Sequence, residues 1–84
     1  MFEWDLEKSE ATFKARGFSF DYAAGIFDGP LLEMEDARAD YGERRIQAIG
    51  RVERDVLFVV YTWRGDVRRI ISVSARSFNT ESLR

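Results

Sequence analysis

Hydrophobic and polar positions are most sharply patterned between Val56 and Arg76, VLFVVYTWRGDVRRIISVSAR. From Val56 to Thr62 the chain is apolar on both faces of an extended strand: Val56, Phe58 and Val60 on one, Leu57, Val59 and Tyr61 on the other. A strand of that kind is central and covered from both sides. Gly65-Asp66 follows, and glycine at the first central position suits a II′ hairpin turn. Strict alternation on the return strand puts Val67, Arg69, Ile71, Val73 and Ala75 on one face, and Arg68, Ile70, Ser72, Ser74 and Arg76 on the other. The first face suits a core. The second grows polar and cationic towards Arg76.

The same reading predicts the other elements. Met1 to Trp4, apolar at alternate positions, reads as a short edge strand. Asp5 is a good N-cap for a helix from Leu6 to Arg16, and Gly17 a natural stop. Only Leu6 and Phe13 give that helix large apolar side chains, so its contact is thin. Ser19 caps a second helix, on which Phe20, Ala23, Ala24 and Phe27 form an amphipathic stripe. Asp28-Gly29-Pro30 ends it. Leu31 to Glu35 reads as a strand, Asp36 to Gly42 as an acidic loop, Glu43 to Val52 as a strand and Glu53-Arg54-Asp55 as a turn. Ser77 or Asn79 is placed to cap a short terminal helix. The expected fold class is α+β: two N-terminal helices packed on a curved antiparallel sheet of three to four strands, with a short C-terminal helix.

Composition narrows the chemistry. Eighty-four residues make one domain, 1–84. Hydrophobic residues at 45% suffice for one core, so disorder is not expected. There is no cysteine and no histidine. That removes disulfides, thiolate metal sites, the commonest metal ligand and the commonest general base. No metal and no cofactor is expected. No Gly-rich phosphate loop or nucleophile elbow points to a small-molecule enzyme. No stretch approaches the ~20 apolar residues of a membrane span, and no signal pattern opens the chain, so a cytoplasmic location and no membrane partner are expected. The net charge of −2 hides an uneven distribution. Residues 42–76 carry arginines 44, 45, 51, 54, 64, 68, 69 and 76 against the acids Glu43, Glu53, Asp55 and Asp66. Arginine, with its planar fork of donors, is suited to phosphate and carboxylate recognition.

Several short strings, in order along residues 4–76, resemble the BrnT family of toxins. Trp4-Asp5 with Lys8 is similar to a WDxxK opening. Gly17-Phe18-Ser19-Phe20 with Ala23 and Phe27 is similar to a G-V-S-F stretch. Tyr41-Gly42-Glu43, Arg45 and Ala48-Ile49-Gly50 resemble a GExRxxAIG strand. Val59-Val60-Tyr61-Thr62, Arg64 and Arg69-Ile70-Ile71-Ser72 resemble VVYTxR…RIIS. The resemblance implies a fold like that of RelE-type toxins and a type II toxin–antitoxin role. In that role the protein is a metal-independent ribonuclease that arrests translation, neutralised by a ribbon–helix–helix antitoxin, BrnA. The pair represses its own operon, with DNA contacts made by the antitoxin. The chain departs from the family pattern in places. Ala15 and Arg16 stand where the family has Lys-His, and Thr12 where it has Asn. Ser74-Ala75-Arg76 comes two residues later than the family's Ser-Ala-Arg. The C-terminal E-R-x-x-Y is reduced to Glu81 and Ser82.

Metal-free RNA cleavage needs a base for the 2′-hydroxyl, cations around the phosphate and a donor to the leaving oxygen. The candidate catalytic cations are Arg45, Arg64 and Arg76, joined by Arg16 from the first helix. Candidate RNA contacts are Lys14, Thr62, Ser74 and Trp63, the last either a core residue or a stacking platform. The base is to be sought among Glu43, Glu81, Lys14, Tyr41 and Tyr61. Each arginine also has a structural reading: Arg45 pairing with an acid, Arg64 solvated beside the turn, Arg76 capping the last strand, Arg16 answering the negative end of its helix. The alternative to a nuclease is an interaction module that only binds an antitoxin and serves in repression.

Overall fold

The apolar run becomes the middle strand of a five-stranded sheet in the computed structural model, which describes residues 1–36 and 42–76, the last through its backbone alone. The elements are β1 (Phe2–Trp4), α1 (Leu6–Arg16), α2 (Phe20–Ala23) running into a 3₁₀ turn (Ala24–Asp28), β2 (Leu32–Glu35), β3 (Ile46–Val52), β4 (Asp55–Arg64) and β5 (Val67–Arg76). The strand order is β1-β5-β4-β3-β2. Neighbours are antiparallel except β1, which runs parallel to β5 with Phe2 opposite Arg68 and Trp4 opposite Ile70.

This corrects the expected architecture of two N-terminal helices on an antiparallel sheet of three to four strands. The sheet is mixed, it has five strands, and both short terminal-half segments, 2–4 and 32–35, belong to it. Local pattern cannot reveal that residue 2 pairs with residue 68. The second helix is also shorter than its apolar stripe suggested. It is α-helical for four residues and then tightens into the 3₁₀ turn, which lowers Ile26 onto β3. Gly50 makes room for it: a Cβ there would lie 2.6 Å from the Ile26 Cβ and 2.9 Å from Leu31 Cδ2. The expected terminal helix falls outside the described residues.

Local rules do account for α1. The Asp5 carboxylate accepts the Glu7 and Lys8 backbone N–H groups at 2.9 and 3.4 Å, and Gly17 closes the helix at φ 86°. The helix docks through polar Ser9, which is buried and whose Oγ accepts the Phe20 N–H at 3.0 Å. The core lies between α2, the 3₁₀ turn and one face of the sheet. It comprises Phe20, Ala23 and Ile26 above, and Ala48, Leu57, Val59, Tyr61, Ile70 and Val73 below. No helix among the described residues is long and apolar enough to cross a membrane.

One irregularity decides which side chains meet. Val60 pairs with Ser72, but Tyr61 pairs with Ile70, so Ile71 is an extra residue in β5. A bulge shifts the alternation of everything beyond it. Arg68 and Ile70 therefore share the core face with Val73, where strict alternation separates them. Arg69, Ser72, Ser74 and position 76 fall on the other face, opposite Thr62, Val60, Phe58 and Val56 respectively.

Candidate active site

The hairpin end of the β4–β5 ribbon carries a cleft of about 200 Å³ lined by Lys8, Arg45, Arg64, Arg69, Asp5 and Glu43, together with Ile70 and Ile71. Four segments supply it. Lys8 comes from the first turn of α1, and its Nζ donates to the Ile71 carbonyl at 2.7 Å. Ile71 is the extra residue of the bulge, so the lysine bonds the carbonyl of the irregularity itself. Arg69 projects from β5 and donates through Nη1 to Glu3 on the facing strand β1 at 3.0 Å. Arg45 precedes β3, and its Nε donates to Glu43 at 3.2 Å. The backbone around Arg45 is pinned from two sides: Thr62 Oγ1 donates to the Arg44 carbonyl at 2.7 Å, and the Asp36 N–H to the Arg45 carbonyl at 2.8 Å. Arg64 ends β4, is exposed, and makes no ion pair or hydrogen bond among the described residues.

Four cations thus surround two carboxylates, one of which, Asp5, is already engaged as a helix cap. Positive charge in excess, with a free guanidinium at the lip, is suited to a phosphodiester. Glu43 sits among these cations and accepts from Arg45 Nε.

The other side of the same ribbon end holds a second constellation. The Arg68 guanidinium carbon lies 4.4 Å from the Phe27 ring centroid, 4.6 Å from Trp63, 5.4 Å from Tyr61 and 5.9 Å from Phe2. The Tyr61 hydroxyl donates to Glu33 Oε2 at 2.5 Å. Burial first, and that bond second, push the Tyr61 phenol above its ordinary pKa, against the opposing pull of Arg68. Tyr61 is therefore a neutral donor at physiological pH and is removed from the candidate bases.

Of the arginines expected to form one ring, the structure brings Arg45 and Arg64 together and separates the other two. Position 76 lies opposite Val56, eight residue steps from Arg64 along the ribbon, or about 26 Å at about 3.3 Å per residue. Arg16 lines a different groove at that far end, with Phe13, Gly17, Phe18, Ser19, Tyr22 and Asp55. The ring fails because the two ends of α1 serve different hollows: Lys8 in its first turn lines the cleft, and Arg16 at its end lines the far groove. Among the candidate RNA contacts, Thr62 is buried and spent on the Arg44 carbonyl. Ser74 is half-buried opposite Phe58, and Lys14 is exposed on α1 and does not line the cleft. Trp63 stands half-exposed beside it. The remaining candidate bases Tyr41 and Glu81 fall outside the described residues. Lys8 and Arg69 are cleft residues that site reasoning from sequence passed over. Arg69 shares a strand face with Thr62 and Arg64 by alternation from the turn, and Lys8 stands in the WDxxK string, so signals for both were present.

A family model described as the ribonuclease toxin, BrnT, of type II toxin–antitoxin systems matches residues 4–81. No curated protein matches the chain.

Proposed function

This chain belongs to the BrnT ribonuclease toxins of type II toxin–antitoxin systems, and from that premise we propose that the cleft at the Arg64 end of the β4–β5 ribbon cleaves RNA without a metal. The observation that carries the reading is Arg64, unpaired among the described residues and flanked by Lys8, Arg45, Arg69 and Glu43. In the proposed reaction the phosphate sits between Arg64 and Lys8. Glu43 takes the proton of the neighbouring 2′-hydroxyl, whose oxygen attacks phosphorus in line. The bond to the 5′-oxygen breaks, and Lys8 protonates that leaving oxygen. The products are a 2′,3′-cyclic phosphate and a 5′-hydroxyl. Arg45 holds Glu43 in place, and the guanidinium groups stabilise the extra charge that develops on the phosphoryl oxygens.

In the cell this activity reduces translation in the cytoplasm, and a BrnA-type ribbon–helix–helix antitoxin restrains it and supplies the DNA contacts of operon repression. The second reading, an interaction module without catalysis, draws on the pairing of Arg45 with Glu43 and Arg69 with Glu3, which satisfies two of the four cations internally. Incubation of purified protein with single-stranded RNA in the presence of a chelator separates the two. Cyclic phosphate ends that appear with the native protein and not with Arg64→Ala support the nuclease. Intact RNA with well-folded native protein leaves only the module.

A further inference from the structure

Trp63 is held rigidly without being buried. It remains 47% exposed. The Arg68 guanidinium lies over one face of its ring, at 4.6 Å, and Tyr61 meets it edge-on at 5.8 Å and 82°. Arg68 is in turn fixed by Phe27 and Phe2, and its Nε is buried without a hydrogen-bond partner. A folding core does not need this arrangement. Burying the indole outright yields more hydrophobic stabilisation, and an arginine with an unsatisfied buried N–H carries a desolvation cost. What the cluster produces is a flat aromatic surface, cation-backed on one side and open on the other.

Trp63 also lines a depression of about 550 Å³ together with Glu43, Arg44, Ile46 and Thr62, and Arg68 is not part of that lining. That is within the range of pockets that enclose small organic groups. Glu43 also lines the cationic cleft, so the two hollows meet at one residue. A chain whose phosphate occupies the cleft has its adjacent nucleoside over the depression.

We infer that Trp63, braced by Arg68, is a stacking platform for one unpaired nucleobase next to the phosphate held in the cationic cleft, which makes the preferred substrate class single-stranded RNA. The inference rests on the RNA reading of that cleft and adds a base subsite to it. Every base has a π-face, so the platform selects for an unstacked base before it selects for sequence, with purines favoured by their larger stacking area. In a duplex the bases are stacked on each other and the platform stays empty.

The test measures binding apart from cleavage. Oligodeoxynucleotides lack the 2′-hydroxyl and are not cut by the proposed chemistry, so a short single strand and an abasic strand of equal length serve as probes. In a Trp4→Phe background residue 63 is the only fluorophore of its kind. The base-bearing strand is expected to quench it and the abasic strand to leave it unchanged. Trp63→Ala is expected to weaken the base-bearing strand about tenfold and the abasic strand by less than about twofold, whereas Trp63→Phe retains most of the affinity. Should Trp63→Ala not fold, the quenching contrast and the Trp63→Phe affinity decide the matter alone. Equal quenching by both strands, or equal loss on both, overturns the platform. RNA cleavage without strand discrimination sinks the platform and spares the nuclease, and discrimination without cleavage does the reverse.

Discussion

The two ends of the β4–β5 ribbon use the same residue types to opposite effect. At the Val56 end, Tyr22 donates to Asp55 at 2.7 Å and to the Val52 carbonyl at 3.3 Å, and Arg51 donates through Nε to the Glu53 carbonyl at 3.2 Å. Polar groups there are arranged donor to acceptor and tie α2 to the β3–β4 turn. At the Arg64 end, four cations face two carboxylates, and one guanidinium has no partner among the described residues. Matched groups stabilise a fold modestly at a protein surface. Unmatched charge of one sign does little for the fold and is left available to an anion. Arginine content alone therefore does not mark a site, since Arg16 at the far end is exposed too; the convergence of four cations on one cleft does.

That contrast can be attacked at several points. The most severe test removes Ile71. Without the extra residue, one half of β5 must turn over and expose either Ile70 or Val73, and the flanking pairs with it. Two aliphatic side chains at about 1.5–3 kcal/mol each consume much of a domain's net stability of about 5–15 kcal/mol. Circular dichroism and thermal melting are expected to show a largely unfolded chain, and a cooperative melt near the native temperature would mean that the bulge is dispensable.

Next in size is Arg64→Ala. Loss of one transition-state donor is expected to slow RNA cleavage by about 10²–10³-fold, with thermal stability unchanged because the side chain has no partner to lose. Arg16→Ala, in the far groove, is expected to leave the cleavage rate within about threefold. A reversal of these two results would move the site to the other end.

Gly50→Ala gives the opposite signature. The new methyl collides with Ile26 and Leu31, and overpacking is expected to cost about 1–3 kcal/mol in denaturant unfolding. Cleavage by the fraction that remains folded should be native-like, since Gly50 lies beneath the 3₁₀ turn and lines neither hollow at the Arg64 end.

The smallest effect lies in pH. The bond to Asp55, then burial, then the negative charges of Asp55 and Glu53 push the Tyr22 phenol from 10.0 up to about 12. A raised folded pKa favours the protonated form in the native state. Its stabilising contribution is complete below about pH 10 and is lost as pH climbs through about 12. Tyr61 shifts in the same direction and adds to the loss. Melting temperature against pH should decline across that window in the native protein, and less steeply in Tyr22→Phe.

Features set by neighbours in sequence were legible. Asp5, Gly17 and the span of α1 follow from capping chemistry, and Gly65 adopts φ 61° at the turn that joins β4 and β5. Features set by distant pairing were not. The parallel partnership of β1 with β5 leaves no local trace, and it is what places Glu3 against Arg69. The bulge did leave a trace. Ile70 and Ile71 are adjacent, Ser72 follows and Val73 resumes, so the apolar phase slips by one residue there. Strict alternation read past that slip. It put Arg76 with Arg68, whereas the two positions lie on opposite faces and at opposite ends of the ribbon. Trp63 illustrates a different difficulty. Its environment depends on Phe2, Phe27 and Arg68, which only the folded sheet assembles.

The bond from Lys8 to the Ile71 carbonyl bears on affinity as well as architecture. A lysine side chain is among the costliest to immobilise, at roughly 1.5–2 kcal/mol of rotamer entropy. Here folding already ties that side chain to a carbonyl, using one ammonium proton and leaving two for an incoming anion. The loosest cation by chemistry is thus one already tethered before any ligand arrives, so an anion that meets it loses less to disorder.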